Sequence, residues 1–269
     1  MIQFPNCKIN LGLNIVAKRN DGFHDLETVF YPVPWHDALE IIPASKGAFR
    51  FQSSGLKIEG EEAGNLCVRA YRLLQSEYKL PAVEMHLHKV IPMGSGLGGG
   101  SSDAAFTMKM LNDLFSLGMD PVKLKKYASM LGSDCAFFLE NKPVYATGTG
   151  DQFENTHVDL AGWYLAVVVP GIHVSTREAY GMVVPCSPSN QLQEVVRMPV
   201  DSWKDLLVND FENPVIAKFP QIGEIKSLLY KAGAGYASMS GSGSAVFGLF
   251  EAPPDNAAMG GHMHWLSRL

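Results

Sequence analysis

The chain has 269 residues, of which 46% are hydrophobic and 18% charged, and its formal net charge is -5. That length allows one large or two small domains with a sizeable core, and the balance excludes a disordered chain. With no basic cluster, the negative charge excludes an electrostatic nucleic-acid binder, so an anionic ligand has to be held by local geometry.

The four cysteines, Cys7, Cys67, Cys135 and Cys186, are scattered and match neither a zinc site nor a disulfide framework, so they are expected to be reduced. The longest apolar run, Trp163 to Val169, is too short to span a bilayer, and Met1 to Asn10 carries no targeting pattern. A cytoplasmic location is expected.

From Cys7 to Val16 the residues alternate strictly. Ile9, Leu11, Leu13 and Ile15 share one face, and Lys8, Asn10, Gly12 and Asn14 share the other, which predicts a half-buried strand with a polar face. A lone lysine on such a face is usually solvated, yet Lys8 and Asn10 beside a glycine also suit a strand lining a ligand cleft. The Asp21-Gly22 pair predicts a tight hairpin turn, with the return strand over Leu26 to Val33. Phe23 and His24 follow that turn, where ordinary hairpin packing accounts for them. Strand pieces are expected over Ala38 to Ile42 and Phe49 to Ile58. A helix is expected over Asn65 to Tyr78, with Asn65 as its N-cap and Leu66, Ala70, Leu73 and Leu74 on one face.

Val83, Met85 and Leu87 then alternate with Glu84, His86 and His88 up to Lys89. Pro92 to Ser102 reads Pro-Met-Gly-Ser-Gly-Leu-Gly-Gly-Gly-Ser-Ser, and a helix is expected from Ala104 to Leu114. A strand, a glycine loop and a helix in that order suit phosphate: glycine lets the backbone come close, and the helix start offers free N–H donors and a positive dipole end. Ser101, Ser102 and Asp103 are candidate caps, and the hydroxyls could also reach a phosphate oxygen or a metal ion. Gly94, Gly96 and Gly99 meet the dinucleotide-binding spacing, but the preceding strand is amphipathic and no acidic strand end follows about 20 residues on. A Walker loop would need Gly-Lys-Ser or Gly-Lys-Thr, which is missing. A flexible surface turn would spend the entropy of five glycines for no gain. Phosphate binding is the preferred reading.

Asp120-Pro121 is expected to open a helix that ends near Leu131-Gly132. Asp134 follows, alone among apolar residues, as either a helix cap or a catalytic acid. The polar, glycine-rich stretch from Gly148 to Thr156 suggests a boundary, giving domains of 1–153 and 154–269. Beyond it come a buried strand over Trp163 to Val169, a helix start at Ser175 to Tyr180, a loose region from Pro185 to Pro199, and a helix over Pro220 to Lys231. A second small-residue loop, Ser238 to Ser244, is expected to lie against the first and close the phosphate site before a strand over Ala245 to Phe250. His262-Met263-His264 reads as alternation in a last strand rather than as a metal site.

Three stretches together carry a resemblance. Pro92 to Ser102 resembles the central motif of the GHMP kinases, Lys8-Ile9-Asn10-Leu11 their first motif, and Ser240-Gly241-Ser242-Gly243-Ser244 their third, in the order that family has them. Asp21-Gly22-Phe23-His24 with Leu26 and Thr28, Asn65-Leu66, Gly98 to Ala105 and Gly132-Ser133-Asp134 resemble the branch that phosphorylates a CDP-linked methylerythritol on the non-mevalonate route to isoprenoids. The resemblance implies a two-domain α+β fold, with a ribosomal-protein-S5-like amino-terminal domain and a ferredoxin-like carboxy-terminal domain. It implies ATP as phosphoryl donor with Mg2+, a small-molecule acceptor, and neither nucleic acid nor membrane as partner.

By the same resemblance Asp134 is the general base and Lys8 assists it, keeping the carboxylate ionised and stabilising charge on the moving phosphoryl group. Asn10, Phe23, His24, Thr176 and Tyr180 are placed on the acceptor, His24 reading the cytosine edge with Phe23 and Tyr180 on its faces. Asn65, Leu66 and Lys89 are placed around adenine. Pro92, Gly94, Ser95, Gly96, Leu97, Gly98, Gly99, Gly100, Ser101 and Ser102 are placed around the triphosphate, and no side chain is assigned to the metal. The chain departs from the family at Phe23, usually tyrosine, at Cys135-Ala136, often Val-Pro, and at Gly99 and Gly100, where other branches carry hydroxyls. The open alternatives are a GHMP kinase for mevalonate or homoserine, a non-catalytic nucleotide-binding protein and, more distantly, a dinucleotide-dependent oxidoreductase.

Overall fold

A computed structural model describes residues 1–44, 47–188, 190–255 and 259–269. Ser189, inside the loose region expected from Pro185 to Pro199, lies outside the described residues. In chain order the elements begin β1 (Ile2–Gln3), β2 (Asn6–Lys18), β3 (His24–His36), β4 (Ala38–Pro43), β5 (Arg50–Gly55), α1 (Leu66–Tyr78), β6 (Val83–Lys89), α2 (Gly99–Leu114), α3 (Pro121–Leu131) and α4 (Phe137–Glu140). They continue with β7 (Val144–Thr147), β8 (Gln152–Asn155), β9 (Tyr164–Val169), α5 (Thr176–Met182), α6 (Leu192–Val195), α7 (Glu212–Lys218), α8 (Pro220–Lys231), β10 (Tyr236–Met239), β11 (Val246–Phe250) and β12 (Met263–Arg268). Among the described residues no helix is long and apolar enough to cross a membrane.

The chain folds into two compact units built from separated stretches: Met1–Cys7, Pro32–Met93 and Gly98–Lys142 form the first, and Lys8–Tyr31, Gly94–Leu97 and Pro143–Leu269 the second. In the first unit β1, β4, β6 and β5 form a sheet in that order. The alternation read in β6 is realised: Val83, Met85 and Leu87 are buried, while His86 and His88 face out. Helices α1 and α2 bury Val68, Ala70, Tyr71, Leu74, Ala104, Ala105, Met108 and Leu111. Asp120 caps α3 by accepting from the Lys123 N–H, with Pro121 in the first turn, as the sequence predicts.

In the second unit β10, β11, β9 and β12 form an antiparallel sheet. Ala166, Val168, Val246 and Phe250 of this sheet share a core with Val215, Ile222, Ile225 and Leu229 of α7 and α8 and with Leu13 and Ile15 of β2. Each fully buried leucine or isoleucine of that set stabilises the unit by roughly 1.5–3 kcal/mol. The His262 to His264 stretch runs into β12, paired with β9, as expected of a last strand.

Strand β2 differs from its expected form. It is buried on both faces from Asn6 to Ile15, so its polar side chains are enclosed rather than half-solvated. Its edge is covered as well: the Leu13 N–H donates to the Val208 carbonyl, the Asp210 N–H donates to the Leu13 carbonyl, and the Asp210 carboxylate accepts from the Ile15 N–H at 2.7 Å. The polar stretch from Gly148 onward is a tight turn between the antiparallel strands β7 and β8. Residues 101–103 do not cap α2. The helix begins earlier, at Gly99, with Gly98 at its N-cap in the left-handed region (φ 70), and Ser102 and Asp103 are packed inward within its first turns.

Candidate active site

In the second unit, β2 brings Lys8 and Asn10 to the glycine loop. The Lys8 N–H donates to the Leu97 carbonyl at 2.9 Å. Its ammonium donates to Asn10 Oδ1 at 2.6 Å and stands 5.0 Å from the centre of the Phe30 ring. The Asn10 amide in turn donates to Thr28 Oγ1, which donates to the Gly12 carbonyl. Buried polar groups are affordable only when so paired, and the pairing fixes the direction of each side chain.

The second small-residue loop meets the first, as its composition suggested. Ser240 Oγ donates to the Gly96 carbonyl at 3.0 Å and accepts from the Asn10 N–H at 3.3 Å, and the Ala245 N–H donates to the Ser95 carbonyl at 2.9 Å. Gly96 sits at φ +80, and a Cβ there would collide with the Ser240 carbonyl oxygen. At Gly94 a Cβ would come within 2.7 Å of His173 Nδ1, so His173 joins the site without having been singled out in the sequence, whereas Ser240 and Thr28 belong to motif stretches but carried no assigned role. The histidine had no motif to mark it, whereas Ser240 lay in the loop already noted.

His24 and Tyr180 are also in this unit. Their rings stack at 4.8 Å with 24° between planes, and Tyr180 meets Phe211 edge-on. Phe23 is 63% exposed. Tyr180 therefore lies on His24 itself, and Phe23 offers its ring to solvent. Thr176 opens α5, where Ser175 caps the helix and Thr176 Oγ1 lies 3.5 Å from Ser242 Oγ.

The first unit holds the other residues read from the sequence. Asn65 caps α1 by accepting from the Cys67 N–H, and Leu66 lies beside Gly100. At the start of α2 the first intrahelical bond runs from the Ser102 N–H to the Gly98 carbonyl. The N–H groups of Gly99, Gly100 and Ser101 come before it, and no side chain caps them. Ser102 is fully buried and its hydroxyl has no hydrogen-bond partner. Asp134 is half-buried in a short 3-10 turn, Ser133–Ala136, packed beside α2. Cys135 next to it is buried, which pushes its thiol up to about 12 and keeps it protonated. The Lys89 ammonium is not free: it pairs with Asp37 and Asp103.

Uncapped N–H groups at a helix start, preceded by glycines, make an anion site for a phosphate chain. A buried serine hydroxyl without a hydrogen-bond partner suits a hard cation such as magnesium better than a soft metal. Among the described residues no group of three or more His, Cys, Asp or Glu side chains could hold a metal ion.

The chain matches the GHMP kinases N terminal domain over residues 65–142 and the GHMP kinases C terminal domain over residues 191–259. It is 51% identical over 253 residues to 4-diphosphocytidyl-2-C-methyl-D-erythritol kinase of Parabacteroides distasonis, covering 94% of this chain and 93% of that one. It is 54% identical over 252 residues to the enzyme of the same name in Bacteroides fragilis, covering 93% and 92%. Its fold matches a crystal structure of 4-(cytidine 5'-diphospho)-2C-methyl-D-erythritol kinase with a TM-score of 0.85 at 30% identity, over 99% of this chain and 98% of that one.

Proposed function

The chain belongs to the GHMP kinases, and from that membership we propose that it transfers the γ-phosphoryl group of ATP to a hydroxyl of 4-diphosphocytidyl-2-C-methyl-D-erythritol. The observation that carries the reading is the start of α2, a helix whose first N–H groups are uncapped behind a glycine loop clasped by Ser240. Such a cradle binds a phosphate chain through backbone dipoles, which suits a protein with no positive field of its own.

Phosphoryl transfer asks the protein mainly for positioning and charge stabilisation. On this reading Asp134 accepts the proton of the acceptor hydroxyl, while Lys8, aimed by Asn10, stabilises negative charge on the transferring group. Asn10 and Thr176 bind the acceptor. His24 pairs with the cytosine edge, Tyr180 holds the imidazole in place by stacking, and Phe23 closes on the base. Asn65 and Leu66 flank adenine, and Gly94 to Ser102 hold the phosphates. Magnesium would travel with ATP and neutralise phosphate charge, with the Ser102 hydroxyl the protein oxygen that suits it. The protein is proposed to be a cytoplasmic enzyme without a nucleic-acid partner.

A phosphorus NMR time course with magnesium-ATP and the CDP-linked acceptor tests the reading. A new phosphomonoester signal should grow as ADP appears. ATP binding with no product on this acceptor, and turnover on mevalonate or homoserine, would overturn the substrate.

A further inference from the structure

Lys89 closes β6 and is 1% exposed, yet it is an ammonium ion. Its Nζ lies 2.5 Å from Asp37 Oδ2 and 2.7 Å from Asp103 Oδ2. The other oxygen of Asp37 accepts from the Val90 N–H at 2.6 Å and the Ile91 N–H at 2.8 Å. These are the residues that lead into the glycine loop. Asp103 belongs to α2, the helix that leaves it. One buried ammonium therefore ties the entry of the loop to its exit, through one carboxylate on each side.

Gly99 belongs to the same arrangement. A Cβ there would stand 3.0 Å from Lys89 Nζ and 3.0 Å from Ile91 Cγ2, so a bare backbone is what lets the amine pass under the first turn of α2. Two carboxyl groups crowd one ammonium out of water, and Asp103 Oδ1 has no hydrogen-bond partner. For stability alone this is a poor choice, since buried ion clusters are often matched by apolar packing. What apolar side chains cannot supply is direction: the carboxylate of Asp37 accepts from two consecutive N–H groups, those of Val90 and Ile91, at once.

We propose that Asp37, Lys89 and Asp103 are positioning residues that set the distance between the two ends of the glycine loop, so that Lys89 governs phosphate binding through the loop and does not touch the nucleotide. The inference rests on reading that loop as the ATP phosphate site.

The test uses the full-length protein with Asp103→Asn and Gly99→Ala, which keep the shape or the charges of the cluster, beside Lys89→Met. Hydrogen exchange of the peptide covering residues 90–102 is measured without ligand, and binding of magnesium-ADP, adenosine and CDP by calorimetry. The expected result is faster exchange in that peptide and magnesium-ADP affinity weakened about tenfold or more, with adenosine and CDP affinities within about twofold of wild type. Unchanged exchange and unchanged ADP affinity in folded Asp103→Asn and Gly99→Ala would overturn the proposal. So would an equal loss of adenosine and ADP affinity, which would put the amine on the nucleoside. Faster exchange in a protein whose wild type binds no ADP would leave the clamp standing and sink the kinase reading instead.

Discussion

Asp134 is half-buried on a short turn ahead of the buried pair Cys135 and Ala136, and the base role proposed for it has a direct test. Asp134→Asn should lower kcat by about a hundredfold to ten-thousandfold in a steady-state assay, because the proton then has no acceptor, while ADP still raises the melting temperature. His24 is held from one side by Tyr180. If His24 binds the base as proposed, His24→Ala should raise the KM for the acceptor by about tenfold and leave the KM for ATP unchanged, the size expected for the loss of one or two hydrogen bonds. Asp103 supplies a pH test. Burial, eased by Lys89 and reinforced by Asp37, pushes its carboxyl up to about 7, and the buried Cys67 thiol, itself held protonated by burial, lies on the α1 side. A folded carboxyl that holds its proton more tightly than the unfolded one stabilises the protein at low pH, and that share is lost as pH rises from about 4 towards 7. Asp103→Asn does not titrate. Its melting temperature relative to wild type should therefore climb across that window, and a constant offset would contradict the assignment.

At the scale of elements, the start of α2 matters most. The serines and aspartate after the glycines invite a cap reading, and the helix instead begins at Gly99 with a left-handed Gly98 in front and its first donors open. A capped helix would have spent those donors internally. Gly96 is where the two small-residue loops touch, at a φ that side chains avoid and with Ser240 against the missing Cβ. Gly96→Ala should therefore cost nucleotide binding by about tenfold or more in calorimetry, through displacement of the Ser240 loop. Ordinary capping operates far from the site. Asp120→Ala removes the bond to the Lys123 N–H and should lower unfolding free energy by about 1 kcal/mol with kinetics unchanged.

Across the whole molecule, each unit is assembled from stretches distant in the chain, with Lys8 to Tyr31 counted alongside Pro143 to Leu269. A ligand that binds only the folded state raises stability by mass action, about 2.7 kcal/mol at a hundred times its dissociation constant. ATP should raise the melting temperature in a scanning assay and NAD should not. The reverse result would return the glycine loop to the dinucleotide-binding reading.

Local order determined a good deal. The existence of strand β2, the alternation of β6, the Asp120-Pro121 helix start, the last strand and the strand, glycine loop and helix around residue 94 were all legible, because each depends on neighbours within a few positions. Asp134 and Lys8 could be named from motifs, though residue type alone left each with a bland alternative. What folding decided was partnership. Lys8 looked like one face of a half-solvated strand until Asn10, Thr28 and the loops enclosed it, and Lys89 looked like a ligand-facing cation until Asp37, 52 positions earlier, took up its charge. Periodicity records which side of an element is apolar. It carries no record of which distant group will satisfy a buried charge, because that depends on where separate stretches of the chain come to rest.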